Sequence, residues 1–327
     1  MDNNKIIPSI DLDSFISGTS QSRKKTGQLV DDICQKIGFL KIKNHGISRE
    51  IIDDAWIAAE KFFSLPEKDK NKYKPINSSS PRGYFPMQSE TLTKSRGIQT
   101  PPDLKEAFSC GSPKILESKN NDYEFFYGEN VWPEAPPNFK AVWEKYYHAM
   151  EQLSLEIMSL FAIALDLKPH YFNKFYTHHI SALRALNYPP MKNKLLPEQQ
   201  RAGAHTDYGS LTILLADLRV GGLEVKHSDT EWIPITPEDN TFIINIGDMM
   251  ARWTNDRWVS TLHRVVTSDH PGQALTNKRQ SIAYFQNPNF DAEISCLSTC
   301  LEKGVAPKYR SIEAGQYLMD RFHATIK

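Results

Sequence analysis

The chain reads His205-Thr206-Asp207 and, shortly afterwards, Leu211-Thr212-Ile213-Leu214-Leu215. The second run is short, apolar and partly β-branched, which is typical of a buried strand. If the strand begins at His205, then His205 and Asp207 leave the same face, because side chains alternate along a strand. We therefore expect one strand to present an imidazole and a carboxylate to the same cavity.

A second imidazole follows in the run Trp258-Val259-Ser260-Thr261-Leu262-His263-Arg264-Val265-Val266, whose β-branched residues predict another strand. We expect His263 to meet the first two side chains across a barrel. Two histidines and one carboxylate bind one face of non-haem Fe(II) and leave three coordination positions open. The sequence thus predicts that His205, Asp207 and His263 are metal ligands at a catalytic centre.

A second His-x-Asp sequence, His227-Ser228-Asp229, competes for this role. It lies between two short apolar runs in a polar stretch that is typical of a hairpin turn, so we do not assign it to the metal. The other histidines lack comparable neighbours, and capping, core or surface roles are expected for them: His45, His148, His170, His178, His179, His270 and His323.

An arginine and a hydroxyl repeat the alternating pattern further along the chain, at Arg279 and Ser281. Ala283 and Phe285 share their strand face, and the intervening residues lie on the other face. A guanidinium inside a barrel requires an anion, and it binds a carboxylate through two parallel hydrogen bonds. A dicarboxylate cosubstrate would supply that anion, whereas the alternative is a structural pair with a buried Asp or Glu.

Taken together, these motifs resemble the isopenicillin N synthase-like family of 2-oxoglutarate- and Fe(II)-dependent dioxygenases over nearly the whole chain. The order of the motifs carries the resemblance, since each is weak alone. They are Ile7-Pro8-Ser9-Ile10-Asp11-Leu12, Gly38-Phe39-Leu40-Lys41-Ile42-Lys43-Asn44-His45-Gly46-Ile47, Phe62-Phe63-Ser64-Leu65-Pro66, Arg82-Gly83-Tyr84, Asn130-Val131-Trp132-Pro133, Tyr188-Pro189, His205-Thr206-Asp207, Gly221-Gly222-Leu223, Asn245-Ile246-Gly247-Asp248, His263-Arg264-Val265 and Arg279-Gln280-Ser281.

The resemblance implies Fe(II) as the metal, with 2-oxoglutarate and dioxygen as cosubstrates. It implies that Arg279 and Ser281 bind the distal carboxylate of 2-oxoglutarate and that Tyr188 lies near the cosubstrate. The implied reaction oxidises an unactivated C–H bond, with release of succinate and carbon dioxide. Hydroxylation, desaturation and oxidative ring closure all remain open.

Two departures from the family pattern stand out. Many plant members have Asn two residues before the tyrosine, whereas this chain has Leu186, so one hydrogen bond to the cosubstrate is absent or replaced. The gap from His263 to Arg279 is several residues longer than usual. Its Ser268-Asp269-His270-Pro271-Gly272 has a turn composition, which predicts a longer hairpin loop.

Four further residues are candidates for contact with the primary substrate. Arg184 shares a strand face with Tyr188 by alternation, and a second inward arginine indicates an anionic substrate, such as a small carboxylated amino-acid derivative. Arg82 lies in the polar segment 77–100, which we interpret as a long loop over the mouth of the site. Tyr84 or Phe285 would form an apolar wall. A purely structural role is the alternative for each.

The composition agrees with a water-soluble enzyme. Hydrophobic residues make up 40% and charged residues 24% of the 327 positions, enough to form a substantial core. Lys plus Arg equals Asp plus Glu at 39 each, and no basic stripe appears, so a nucleic-acid partner is not expected. We find no signal-peptide pattern and no membrane-spanning run, and the four cysteines form no zinc motif. We expect a cytoplasmic monomer acting on a small molecule.

The predicted fold is mixed α and β, with a double-stranded β-helix, or jelly roll, buttressed by N-terminal and C-terminal helices. Helical spacing of apolar residues appears at 22–37, 48–63, 136–167 and 311–326. We divide the chain into an N-terminal region with helices, a sheet extension and the mouth loop (1–125), a connecting helical region (126–178), the jelly-roll core (179–290) and a C-terminal helical closure (291–327).

Three other functions use parts of the same pattern. An isopenicillin N synthase-type Fe(II) oxidase would not use 2-oxoglutarate, which would leave Arg279 and Ser281 unexplained. A zinc hydrolase could use the same three ligands but would consume no oxygen. A jelly-roll binding protein without activity would not require both a complete metal triad and an anion clamp.

Overall fold

The structure is a computed structural model that describes residues 7–76, 80–114, 116, 120–190, 196–266 and 278–326. The turn predicted at 268–272 and the longer loop that contains it lie outside the described residues, as does His270. Part of the predicted mouth loop, residues 77–79, also lies outside them.

Helices and strands alternate along the first half of the chain, and strands dominate the second. The helices are α1 (Leu12–Ile16), α2 (Ser20–Lys36), α3 (Arg49–Phe63), α4 (Glu67–Lys70), α5 (Asn121–Tyr127), α6 (Phe139–Ala164), α7 (Asp248–Trp253) and α8 (Ala314–Ile326). The strands are β1 (Ser9–Asp11), β2 (Phe39–Lys43), β3 (Gly83–Phe85), β4 (Glu106–Cys110), β5 (Ala182–Tyr188), β6 (Ala202–His205), β7 (Leu211–Ala216), β8 (Leu223–Lys226), β9 (Trp232–Pro234), β10 (Thr241–Ile246), β11 (His263–Val265), β12 (Arg279–Gln286), β13 (Glu293–Ile294) and β14 (Ile312–Glu313).

Two sheets of the described chain enclose one cavity. The larger sheet has the strand order β1-β2-β10-β7-β12-β5-β4-β3, and the smaller one has the order β6-β11-β8-β9. Both sheets contribute side chains to the cavity wall. The predicted mixed fold with a jelly-roll core is therefore confirmed, and β1 to β4 extend the larger sheet at both edges.

The strand β12 has the alternation that the sequence predicts. Arg279, Ser281, Ala283 and Phe285 all line the cavity. The residue between the last two, Tyr284, is fully buried on the other face, where its ring meets that of Tyr147 at 5.3 Å between centroids. One face of β12 thus forms the site and the other face packs on α6.

The four helices that apolar periodicity predicts form as α2, α3, α6 and α8, with shifts of a few residues at the ends, whereas the shorter helices α1, α4, α5 and α7 were not predicted. Thr19 caps α2 by accepting a hydrogen bond from Ser22 N, and Ser48 caps α3 in the same way from Ile51 N. The long α6 buries aromatic residues along its length, beginning with Phe139 and Trp143, whose rings stack at 4.9 Å. These helices cover the outer face of the larger sheet.

The predicted strands around the metal ligands are shorter than expected. β6 ends at His205, so Asp207 lies in the loop that follows. In this loop the carbonyls of Asp207 and Tyr208 accept hydrogen bonds from Asp248 N and Met249 N at the start of α7. Of the predicted strand 258–266, only β11 forms. Its earlier part is bonded to the end of α2 instead, through Val259 N to Cys34 O.

Candidate active site

Three side chains meet in the smaller sheet, where the end of β6 lies beside the start of β11. His205 ends β6 and His263 begins β11, and these two residues are direct partners in the antiparallel ladder. Asp207 follows β6 by two residues. One ligand atom from each of the three lies within 4.8 Å of the other two, and no other such cluster occurs in the described ranges. The three predicted ligands are therefore brought together.

Backbone carbonyls orient the two imidazoles. The Nδ1 atom of His205 lies 2.7 Å from Gly203 O, and that of His263 lies 3.1 Å from Thr261 O. A neutral imidazole that donates from Nδ1 keeps its lone pair on Nε2. The two Nε2 atoms lie 3.9 and 3.7 Å from Asp207 Oδ1. Both histidines thus present an unprotonated nitrogen to the same point, which is the form that binds a metal.

Two side chains hold the carboxylate of Asp207. Its Oδ2 accepts hydrogen bonds from Thr212 Oγ1 at 2.5 Å and Asn245 Nδ2 at 2.7 Å, so Oδ1 remains for a ligand. Burial opposes ionisation of Asp207, but the neighbouring imidazoles and these hydrogen bonds outweigh it and lower its pKa. Burial, followed by the electrostatic interaction with His263, lowers the pKa of His205. Both ligands are therefore held in their metal-binding protonation states.

Arg279 lies in the same cavity and is only 2% exposed. It is the ladder partner of Tyr188, and its guanidinium carbon lies 4.9 Å from the centre of the tyrosine ring. Its polar contacts are weak, at 3.2 Å to Gly221 O and 3.4 Å to Ser281 Oγ. No described carboxylate forms an ion pair with it, so the structural alternative, a buried Asp or Glu partner, finds no support in the described chain.

The cavity wall combines a polar half with an apolar half. The lining residues are Phe39, Leu92, Leu186, Tyr188, Ala202, His205, Asp207, Thr212, Leu214, Leu223, Asn245, His263, Val265, Arg279, Ser281, Ala283 and Phe285. A wider groove lies elsewhere, against α3, and its rim carries ion pairs such as Arg49 with Asp239. None of the candidate site residues lines that groove, so we place the site at the smaller cavity.

The comparisons with known proteins identify the family. Residues 177–288 match the family model of the 2OG-Fe(II) oxygenase superfamily, and residues 7–135 match the N-terminal model of non-haem dioxygenases in morphine synthesis. The chain belongs to the 2-oxoglutarate- and Fe(II)-dependent oxygenases. The two histidines, the single aspartate and the anion site without a carboxylate partner fit the cofactors of this family, Fe(II) and 2-oxoglutarate.

Relatives of this oxygenase match over almost its full length. Homoarginine-6-hydroxylase 2-ODD-233 from Oryza sativa subsp. japonica is 33% identical, over 97% of this chain and 96% of the rice protein. The 2-oxoglutarate-dependent dioxygenase citB from Monascus ruber is also 33% identical, over 89% and 87% of the two chains. A full-length protein from Neurospora crassa, crystallised in complex with alpha-KG (2-oxoglutarate), superposes with a TM-score of 0.86 at 32% identity, covering 99% of this chain and 98% of the other.

The four candidate substrate residues of the oxygenase lie in different surroundings, and not all of them line the cavity. Phe285 lines the cavity. Arg184 lies on the same face of β5 as Leu186 and Tyr188, as predicted, but its guanidinium is paired with Glu90, with 2.7 Å between Arg184 Nη2 and Glu90 Oε1. No local pattern indicates that partner, which lies 94 positions away.

The predicted substrate contacts of Arg82 and Tyr84 are wrong. Arg82 is buried and donates its guanidinium hydrogens to the carbonyls of Phe125 and Phe126. Tyr84 donates to Glu106 on the helix-side face of the sheet and does not line the cavity. Arg82 lies just before β3 and Tyr84 lies within it. Both side chains point away from the cavity, and their hydrogen bonds to neighbouring elements stabilise the position of this short strand.

Several residues that support the ligands had no role in the sequence interpretation. Asn245 and Thr212 hold Asp207, although Asn245 lies in the recognised Asn245-Ile246-Gly247-Asp248 motif. Asp248 accepts hydrogen bonds from Thr206, between the two ligands, and from Arg321 of α8. Gly247 has no room for a side chain, since a Cβ would lie 2.1 Å from Gly209 O. The motif indicated that these positions matter, but only the structure shows that Asn245 binds Asp207 and that Asp248 binds Thr206.

At position 186 the cavity wall is apolar. Leu186 lines the cavity opposite Ser281, its ladder partner, where many plant members of the family have Asn. A leucine side chain has no hydrogen-bonding group, so it offers the cosubstrate only a surface to pack against. The other His-x-Asp sequence is confirmed as a turn, in which His227 is exposed and its N–H donates to Glu231 O.

Proposed function

We propose that His205, Asp207 and His263 hold Fe(II), that Arg279 and Ser281 hold the distal carboxylate of 2-oxoglutarate, and that Tyr188 lies beside the cosubstrate. The observation that carries the proposal is a buried arginine without a carboxylate partner among the described residues, in the same cavity as a ready His-Asp-His donor set. When bound, the metal and cosubstrate supply the oxidising chemistry, in which dioxygen is consumed, 2-oxoglutarate becomes succinate and carbon dioxide, and a substrate C–H bond is oxidised.

Some side chains of the cavity bind the cosubstrate, and others orient the metal ligands. Arg279 offers a planar fork of N–H donors that matches a carboxylate, and Ser281 adds a hydroxyl on the same strand face. Asn245 and Thr212 fix the carboxylate of Asp207, while Gly203 O and Thr261 O fix the two imidazoles. Apolar residues such as Leu186, Leu214 and Leu223 exclude water around these polar groups, which strengthens their electrostatic effect.

We further propose that the primary substrate is a small polar molecule with no net charge, either neutral or zwitterionic. An anionic substrate was expected because it would pair with an inward Arg184, but in the structure Glu90 supplies that partner. A substrate that carries both donors and acceptors would suit this pair better. One relative supports this charge class, since the Neurospora crassa protein was crystallised with thymine, which is neutral. The rice protein is named for homoarginine, which also carries donors and acceptors but has a net positive charge.

The deciding experiment is an anaerobic titration of the protein with Fe(II) and 2-oxoglutarate, followed by visible absorbance. A metal-to-ligand charge-transfer band that appears only with both components is the expected result. No band with iron bound would favour an oxidase that does not use 2-oxoglutarate, and absence of succinate during turnover would confirm that alternative. Turnover that continues without oxygen would identify a hydrolase.

A reducing compartment fits the cysteines of the described chain. Cys34 and Cys110 are buried thiols, and Cys296 and Cys300 are likewise not joined in a disulfide. Disulfides are rare in the cytosol, so this pattern supports our proposal of a cytoplasmic location. Among the helices of the described ranges, none combines the length and the apolar character needed to cross a bilayer. The monomeric state stays a prediction for light scattering to test.

A further inference from the structure

A buried cluster of four charges adjoins the cavity beside Arg184. Glu90 pairs with Arg184 at 2.7 Å and with Lys105 at 3.5 Å, and Lys105 also pairs with Asp103 at 2.8 Å. Two positive and two negative charges cancel within the cluster. Asp103 also accepts hydrogen bonds from Leu92 N and from Gly203 N. The cluster thus connects the segment over the mouth to the strand that carries His205.

Glu90 and Arg184 are the members of this cluster that a ligand can reach. Their side chains are 26% and 22% exposed, whereas those of Lys105 and Asp103 are 3% and 2% exposed. Arg184 is the ladder partner of Ala283, which lines the cavity, and Glu90 precedes the cavity residue Leu92 by two positions. The open end of the cluster therefore lies at the cavity mouth.

Arg184 keeps some capacity to bind a ligand. Its guanidinium lies 4.9 Å from the centre of the Phe85 ring, which fixes its plane. Its Nε is buried and has no hydrogen-bond partner among the described residues. The guanidinium has five N–H groups, of which Glu90 binds one nitrogen, Nη2, so the exposed part of the side chain keeps donors for a substrate acceptor. Glu90, in turn, offers carboxylate oxygens to substrate donors.

We propose that Glu90 determines substrate specificity by excluding simple anions from Arg184 and by selecting substrates that present a donor to Glu90 and an acceptor to Arg184. This inference rests on the proposed function, since it assigns the substrate side of the same cavity. A second carboxylate at Arg184 would lie beside the first, and like charges in an interface discriminate strongly against the wrong partner. A neutral or zwitterionic molecule avoids that repulsion.

The charge of Glu90 persists over the working range of pH. Burial opposes ionisation of Glu90, but the charges of Arg184 and Lys105 outweigh burial and hold its pKa at about 2. A pKa this low keeps the carboxylate negative at neutral pH, so an anionic substrate meets it charged. The repulsion of anionic substrates by Glu90 should therefore be the same at every pH near neutrality.

The test compares benzoate with benzamide, which have similar shapes but differ in charge. The protein is saturated with Mn(II) and 2-oxoglutarate, so that Arg279 is occupied and no turnover occurs. Paramagnetic relaxation of the probe's ring protons by Mn(II) then reports binding near the metal. In Glu90→Gln we expect the affinity for benzoate relative to benzamide to rise by roughly tenfold or more over the wild-type ratio. The double variant Glu90→Gln/Arg184→Gln should lose that gain.

The matched control is Glu224→Gln, because Glu224 forms a similar part-buried pair with Arg264 at 2.8 Å outside the cavity. This variant should leave the affinity for benzoate relative to benzamide unchanged. An unchanged ratio in Glu90→Gln, or a gain that survives loss of Arg184, overturns the proposal. The anaerobic charge-transfer band, measured on the same proteins with Fe(II), separates the two hypotheses. A missing band in the wild type refutes the proposed function, whereas a band without a shift in the ratio refutes only the role of Glu90.

Discussion

His205 and His263 are direct partners across one pair of antiparallel strands, with their ring centroids 4.3 Å apart. The hydrogen bonds of the ladder therefore fix the separation of the two imidazoles before any metal binds. Asp207 is positioned differently, by a loop whose carbonyls accept hydrogen bonds from the start of α7. The two histidines thus come from neighbouring strands of one sheet, and the expectation that His263 meets the other ligands across a barrel was wrong.

Replacement of any one ligand should abolish oxygen-dependent turnover. His205→Ala, Asp207→Ala and His263→Ala each remove one of three donors, and the remaining two hold Fe(II) too weakly for catalysis. Iron retained after gel filtration and succinate formed in air measure the two effects, and circular dichroism checks the fold. Full activity in any of the three would refute the assignment. His227→Ala is the control. Because His227 lies in an exposed turn, this variant should bind iron as the wild type does.

Arg279→Lys should raise the Michaelis constant for 2-oxoglutarate strongly, because a single ammonium cannot replace a planar fork of two hydrogen bonds. Ser281→Ala should have a smaller effect, since it removes about one hydrogen bond to a charged group, or roughly 1.5–3 kcal/mol. Steady-state succinate assays over a range of 2-oxoglutarate concentrations provide the measurement. Arg49→Lys, at an exposed pair with Asp239, is the control. A Michaelis constant unchanged in Arg279→Lys would exclude the clamp.

Asn245→Ala should lower the affinity for Fe(II) by roughly 10- to 100-fold, which is the usual effect of removing a residue that orients a ligand. Asn245 donates to Asp207 Oδ2, and without it that oxygen keeps only Thr212 as a partner among the described residues. Competition with a chromogenic chelator under anaerobic conditions measures the affinity directly. Asn44→Ala removes an exposed amide that donates to Asp11 at 2.8 Å, and it should leave iron binding unchanged.

The sequence predicted what depends on short-range pattern and missed what depends on long-range contact. The alternation in β12 placed Arg279 and Ser281 correctly, because strand geometry fixes which neighbours share a face. The pair of Arg184 with Glu90 joins two positions that no local pattern relates. Tyr84 was misplaced for another reason, since alternation alone does not show which face of a three-residue strand meets the core.

Arg82→Gln should destabilise the protein without affecting its kinetic constants. The buried guanidinium donates to two backbone carbonyls, so we expect a loss of about 1.5–3 kcal/mol for each charged hydrogen bond removed. Urea unfolding measures the loss, and the Michaelis constants for 2-oxoglutarate and substrate should stay near the wild-type values. Arg96→Gln, at an exposed position, should change neither property. A raised Michaelis constant for substrate with unchanged stability would restore the original assignment of Arg82 to the mouth.

Arg184→Gln should separate the two ligands of the cavity. Arg184 lies four residues from Tyr188 along β5, a displacement of about 13 Å, which is too far for contact with 2-oxoglutarate at Arg279. Iron binding and substrate-independent formation of succinate should therefore persist in the variant. Glu90 keeps Lys105 at 3.5 Å, so the loss of Arg184 does not leave Glu90 without a counter-charge. Turnover with a substrate found by screening small polar metabolites should fall, because the substrate is bound or positioned less well.

The expected signature of Arg184→Gln is uncoupling, in which succinate forms without an equivalent amount of product. Succinate and product are measured in the same reaction, for the wild type and the variant. If the variant unfolds at room temperature, the role of Arg184 is structural, as a member of the ion cluster. Arg184→Lys, which keeps the positive charge beside Glu90, must then restore the fold. If succinate and product stay equal in a folded Arg184→Gln protein, the substrate does not depend on Arg184, and recognition must come from the apolar wall at Phe285.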